Sequence, residues 1–384
     1  MQVPLYNLEP LLEVMGLGLL LAGLPLVLFW RRQRHASSPQ RLKALTLLIL
    51  TLTFELVLVG AFTRLTDSGL GCPDWPGCYG QASPLGAHSE ISAAQQAMPT
   101  GPVTHSKAWI EMIHRYLATS VGVLIIVLTV WTWRVWRRER QLAVHPVWPT
   151  ITLAWVCLQG AFGALTVTMK LFPAIVTLHL LLALGLLVLL MAQAIRYSGW
   201  REIALSGGLR LGLKVVVALL LVQIALGGWV STNYAVMACQ DFPLCQGSWW
   251  PQMDWQGFEL WRELGHTAAG ELLAFSALVS IHVVHRTMAW LVLAALLLLG
   301  WQLLRVQPLN KAARLLLGLT LLQLLTGMSN VVLDWPLLAA LLHTGGASAL
   351  LLTLVWMWAR TRPQAASSSP AAGTTPAASA KSVE

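Results

Sequence analysis

Charge is what this sequence has least of. Asp, Glu, Lys and Arg make up 11% of its 384 residues, against about 25% in an ordinary soluble domain, while 56% are hydrophobic. A water-soluble core cannot absorb that excess, so a soluble globular fold is excluded. Carboxylates are scarcer than cations, 16 against 25, and the formal net charge is +9. The imbalance does not indicate a nucleic-acid partner, because the basic residues are confined to short stretches between apolar runs. Nor does the first apolar run have a basic segment before it; its positive charges follow it, which disfavours a cleaved signal peptide.

What is abundant is apolar sequence in long runs. Runs near the roughly 20 residues that cross a bilayer as helix lie at about 11–30, 44–63, 109–133, 148–168, 174–195, 210–230, 280–304, 313–333 and 337–358, predicting nine transmembrane helices in a lipid bilayer. Between them fall "RRQR" (31–34), "RVWRRERQ" (134–141), "RYSGWR" (196–201), "RVQPLNKAAR" (305–314) and "RTR" (360–362). These short basic loops follow every second helix. By the positive-inside rule they put the N-terminus outside and the C-terminus in the cytoplasm. The stretch from 361 to 384, rich in Ala, Ser, Pro and Thr, is expected to be disordered.

The chain also repeats itself. "CPDWPGC" at 72–78 returns as "CQDFPLC" at 239–245, an offset of 167, and Gly60 and Gly80 match Gly227 and Gly247 at the same offset. His114-Arg115 returns as His285-Arg286. "LQGAFG" before His179 returns as "LQLLTG" before His343, with Gln159 and Gln323 each 20 residues ahead of the histidine. Three matches in one order predict an all-α integral membrane protein built of two tandem four-helix units, 43–205 and 206–360, preceded by one extra helix within 1–42.

Depth then selects the candidate ligands. Segments 64–108 and 231–279 lie outside in this orientation, so His114, His179, His285 and His343 all fall near the outer ends of their helices. Each unit supplies two imidazoles at matching height to its core, which is how a helical bundle holds a bis-histidine haem. A lone intramembrane histidine is as readily a helix-to-helix hydrogen bond; four in a repeated pattern favour haem iron. Zinc is disfavoured because neither unit offers a third and fourth ligand. His35, His88, His105, His145 and His266 have no repeat partner and read as solvated or structural.

Cysteine is sparse, five in all, and no Cys-x-x-Cys-His occurs, so covalent c-type attachment is not indicated. Cys72 with Cys78 and Cys239 with Cys245 lie in outer loops and are expected to form disulfides. A clip that stiffens each loop and a redox role both remain open for them. Cys157 reads as a small buried residue. Most of the 19 tryptophans, Trp249, Trp250, Trp255 and Trp261 among them, read as interfacial anchors.

Taken together, "GAFTRLTDSGLGCPDWPGC", "EMIHRY", the histidine after "LQG", "IHVVHR" and "LLHTGG" resemble the haem A synthase family over about Leu45 to Trp358. The extra first helix departs from that family's eight-helix core. The resemblance implies oxidation of the C8 methyl group of haem O, through an alcohol, to a formyl group. It implies a substrate haem O on His114 and His179, a resident haem b on His285 and His343, and a catalytic carboxylate at Glu111, where the second copy has His282. A carboxylate there could stabilise positive charge or handle a proton. Arg115 and Arg286 are candidate partners of haem propionates, Arg64 a candidate snorkelling residue. A haem O synthase and an electron donor are implied partners, and a bacterial inner membrane the implied location. Two other classes stay open on the residues alone: a b-type cytochrome passing electrons from quinol, and a membrane thiol-disulfide oxidoreductase.

Overall fold

The computed structural model describes residues 9–140, 144–200 and 202–363. Among them, nine helices are long and apolar enough to cross a membrane, and all nine expected runs lie on them. They are α1 (Glu9–Gln33), α2 (Ser38–Leu65), α4 (His105–Glu139), α5 (Val147–Thr168), α6 (Pro173–Tyr197), α7 (Gly207–Thr232), α8 (Phe275–Leu303), α9 (Asn310–Val332) and α10 (Leu337–Ala359), with a short α3 (His88–Ala97) in the first outer loop. The protein is an all-α, multi-pass membrane protein. In lipid only a helix satisfies its own backbone, which leaves side chains and caps to set the boundaries. Thr104 accepts the Lys107 N–H at the start of α4, and Ser206 accepts that of Leu209 at the start of α7. Pro173 opens α6, where its missing N–H costs nothing.

The helices close into two rings. α2 packs on α4 and α6 while α5 bridges the latter two; α7 packs on α8 and α10 while α9 bridges those. The rings meet along α2 and α6 on one side and α7 and α10 on the other. The repeat extends to backbone conformation: φ is positive at Asp67 and Tyr234, at Tyr79 and Gln246, and at the paired turn residues Lys170-Leu171 and Asp334-Trp335. Where the rings touch at their outer ends, Arg64 donates to the Ser231 carbonyl and the Tyr234 hydroxyl donates to Asp67 at 2.5 Å. Both contacts join residues 167 apart, the repeat offset itself. A residue meets its own counterpart only where the axis relating the copies passes, so a pseudo-two-fold axis runs between α2 and α7.

α1 lies outside both rings, against α4. It approaches so closely that a Cβ at Gly18 would collide with the Thr119 side chain. At the other end of α1, Phe29 and Trp30 stack with Trp131. Two small departures from expectation stand out. The stretch from 361 begins as a strand, β2 (Thr361–Pro363), paired in parallel with β1 (Ile203–Leu205), because the end of α10 and the α6–α7 connection emerge side by side; residues 364–384 lie outside the described residues. Cys157, expected to be buried, is exposed, because it falls on the outward face of α5 beside the 45%-exposed Leu158.

Candidate functional site

The four repeated histidines sit on the second and fourth helices of their rings, diagonally across each core, within about three turns of the helix start. His114 and His179 lie within electrostatic reach of each other, as do His285 and His343. Each imidazole rests on a glycine of a neighbouring helix: His114 on Gly60, His179 on Gly163, His285 on Gly227 and His343 on Gly327. A Cβ added at those glycines would come within 2.9, 3.1, 3.0 and 3.3 Å of the imidazole Cε1. An added Cβ would press on each imidazole, so glycine suits the close approach, and the four glycines form one cradle used four times.

The hydrogen bonds to these rings differ between the copies. In the C-terminal ring, Gln223 of α7 lies 3.1 Å from Nδ1 of His285, and the Thr326 hydroxyl of α9 lies 2.9 Å from Nδ1 of His343. Gln323 donates to the His343 carbonyl at 3.0 Å. The Thr326 hydroxyl donates to the Leu322 carbonyl and so accepts from Nδ1–H of His343, leaving Nε2 of that ring as the ligand atom. The Gln223 amide nitrogen, a donor, lies within 3.5 Å of Nε2 as well as beside Nδ1, and holds the His285 ring in place without selecting that tautomer. In the N-terminal ring the Nδ1 atoms of both His114 and His179 are buried without a partner, and Gln159 instead lies 3.3 Å from Nε2 of His179. At the repeat offsets, Leu56 stands where Gln223 does and Phe162 where Thr326 does. Gln223 and Thr326 were not among the residues singled out from the sequence. Their signal was present as a polar residue in one copy facing an apolar one in the other.

Such diagonal imidazole pairs in apolar cores, over glycine cradles and with free or oriented ring nitrogens, fit axial ligation of haem iron. Among the described residues no group of three or more His, Cys, Asp or Glu is gathered as for a bare metal ion.

Glu111 and Arg115 are buried together, 3% and 9% exposed, and their side chains form an ion pair. The second Glu111 oxygen accepts the Cys72 N–H at 2.7 Å. Arg115 donates to the carbonyls of Asp74, Pro76 and Gly77 at 2.8, 3.2 and 2.6 Å. Both therefore hold the loop closed by the Cys72–Cys78 disulfide. In the other copy Arg286 donates to the carbonyls of Asp241 and Leu244 at 3.1 and 2.7 Å, holding the Cys239–Cys245 loop in the same way. There His282 replaces the carboxylate, its Nδ1 lying 3.0 Å from the Ala235 carbonyl. Both expected disulfides are formed. Each loop aspartate also caps its own turn: Asp74 accepts from Tyr79 and Gly80, Asp241 from Gln246 and Gly247.

The remaining histidines stay apart from these cores. His88 and His105 stack at 4.6 Å, and His266 faces the Leu264 carbonyl. Arg64 does not reach for solvent; it lies over the Tyr234 ring, 4.0 Å from its centroid. Trp249, Trp250, Trp255 and Trp261 are all more than half exposed, as interfacial anchors are.

Residues 43–355 match the model of a family of cytochrome oxidase assembly proteins. A haem A synthase of Shewanella oneidensis is 39% identical over 80% of this chain and 94% of its own length. The chain belongs to the haem A synthase family. A family member from a Methylobacterium species is 30% identical over 83% of this chain and 92% of its own, and one from Halalkalibacterium halodurans 26% identical over 78% and 90%. The family match takes in both rings, with all four histidines and both cysteine loops, and leaves α1 outside it.

Proposed function

We propose that this protein makes haem A from haem O in a bacterial inner membrane, oxidising the C8 methyl group to an alcohol and then to a formyl group. The observation that carries this reading is the asymmetry between two otherwise matching bis-histidine cores in a chain of this family. One core has a buried carboxylate, Glu111, one turn from its histidine; the other has an imidazole, His282, at that place.

In this reading His285 and His343 would hold a resident haem b, with Thr326 leaving Nε2 of His343 free as a ligand atom and Gln223 holding the His285 ring in place. When bound, that group would supply one-electron transfer between the substrate side and an external redox partner. His114 and His179 receive haem O on rings whose Nδ1 atoms lack partners, which suits a molecule that must enter and leave. With water as the oxygen source, each step, methyl to alcohol and alcohol to aldehyde, releases two electrons to an external acceptor and two protons. A carboxylate held in an apolar site stabilises the positive charge that builds there and offers a local proton acceptor. Arg115 fixes the orientation of Glu111, and the Cys72 N–H fixes its second oxygen. Arg115 and Arg286 engage the loop carbonyls through Nη1 and Nη2, and their Nε groups are the donors left for haem propionates. The disulfides act as clips in this account. A haem O synthase as supplier of the substrate, and a separate redox partner, complete the proposal.

The loop arginines support an N-terminus outside and a C-terminus in the cytoplasm. The test is the haem content of membranes with and without the chain, extracted in acid and measured by mass. Haem A should appear only with the chain, at the expense of haem O. A spectrum of haem B alone, with the haem O pool unchanged, would move the protein to the electron-transfer class.

A further inference from the structure

A cavity of about 590 Å³ lies at the inner end of α4, away from both histidine cores, walled by α1, α2 and α4. That volume falls within the range of small-molecule sites, about 300–1,000 Å³. We propose that it binds the headgroup and upper acyl chain of an anionic phospholipid, and that α1, which the family match does not include, exists in part to build it.

Two halves of different chemistry carry the inference. The half toward the membrane centre is apolar, formed by Ile126, Val130 and the stacked Trp30 and Trp131. It opens sideways to lipid: Ile126, Val130 and Trp30 are 48, 44 and 41% exposed. The half at the membrane surface carries Arg41, Arg134 and Arg138. Among the described residues no hydrogen bond or ion pair engages Arg134 or Arg138. Arg41 donates to the Gln33 and Arg34 carbonyls at 2.9 and 2.6 Å, which closes the end of α1 over the site. The one carboxylate present, Glu139, accepts from the Ser38 hydroxyl at 2.7 Å, so the rim remains cationic. In the proposed orientation this end is cytoplasmic, where anionic lipid and basic pockets between helices meet.

The fit is to a molecule with a phosphate and hydrocarbon joined at this depth, which a free anion lacks. The test uses the full-length protein, purified in detergent and washed free of lipid. Phosphatidylglycerol, phosphatidylcholine and inorganic phosphate are titrated separately, and bound mass is read by native mass spectrometry. Phosphatidylglycerol should bind best, and Arg134→Gln with Arg138→Gln should weaken it roughly tenfold or more. Val130→Trp, which keeps every arginine and fills the apolar wall, should weaken it as well and decides the matter if the arginine variant does not purify. Arg305→Gln with Arg314→Gln removes two cations from another loop at the same end and should leave binding intact. Equal binding of the two lipids, displacement of phosphatidylglycerol by millimolar phosphate, or binding unchanged in Val130→Trp would overturn the proposal. None of these outcomes bears on haem conversion, so this site and the proposed reaction fail separately.

Discussion

The two rings share a backbone down to the sign of φ at their turns, and they share the glycine beneath every histidine, yet they differ at the atoms that touch the rings and at the residue one turn before the first ligand. The C-terminal ring has Gln223 and Thr326 on Nδ1 where the N-terminal ring has Leu56 and Phe162. The N-terminal ring has the Glu111–Arg115 pair where the other has His282 and Arg286. A duplicated scaffold thus keeps its geometry through packing, which tolerates little change. Function diverges through a few polar atoms, because each one buried in an apolar core has a large local effect.

The largest expected effect separates the rings outright. His285→Ala and His343→Ala should each abolish the resident haem, read as Soret absorbance per protein, while His114→Ala and His179→Ala leave it in place. The reverse pattern would mean that the roles of the rings are exchanged. Next, Glu111→Gln keeps the shape and removes the charge, and haem A yield at equal protein level should fall roughly 10²-fold with the resident haem retained. His282→Gln should alter haem retention more than conversion.

A smaller effect tests the ring nitrogens. Gln223→Leu gives the C-terminal ring the residue of its counterpart and should weaken resident haem binding about tenfold, whereas Leu56→Ala should not. Gly227→Ala, by pressing on the His285 ring, should lower haem occupancy further than the same change at Gly208, where a Cβ meets nothing within 4 Å. The smallest effect concerns the second loop. The Gly247 N–H, with Gln246 and Arg286, holds the Asp241 carboxyl below the usual carboxylate range. Because that value is depressed, its support is complete above the ordinary range, near pH 4, and is lost only as pH falls through the lowered value. Limited proteolysis of the loop should therefore be unchanged between pH 7 and pH 5, in the native protein and in Asp241→Asn alike.

Much of this was legible because a bilayer simplifies sequence. Apolar runs of fixed length mark the helices, and the repeated His-Arg and Cys-x-Asp-aromatic-Pro-x-Cys strings mark the units. Gly60 and Gly227 could be matched by offset, but only the fold shows what they are for, since an imidazole lies on each. Glu111 could be placed on the face of His114; that its two oxygens divide between Arg115 and the Cys72 N–H depends on where a loop 39 residues away folds back. The cavity beside Trp30 and Arg134 was hidden for the same reason, because Trp30, Ser38 and Arg41 meet the far end of α4, about 90 residues on, only in the fold.

The central claim is that one copy of the unit holds the cofactor and the other the substrate. It is tested most directly by extracting and weighing the haems bound to purified Glu111→Gln protein, alone and combined with His179→Ala or His343→Ala. With conversion blocked, the parent variant should carry haem B together with unconverted haem O; His179→Ala should remove the haem O only, and His343→Ala the haem B only. Loss of haem B on changing His179, or haem O surviving that change undiminished, would contradict the account.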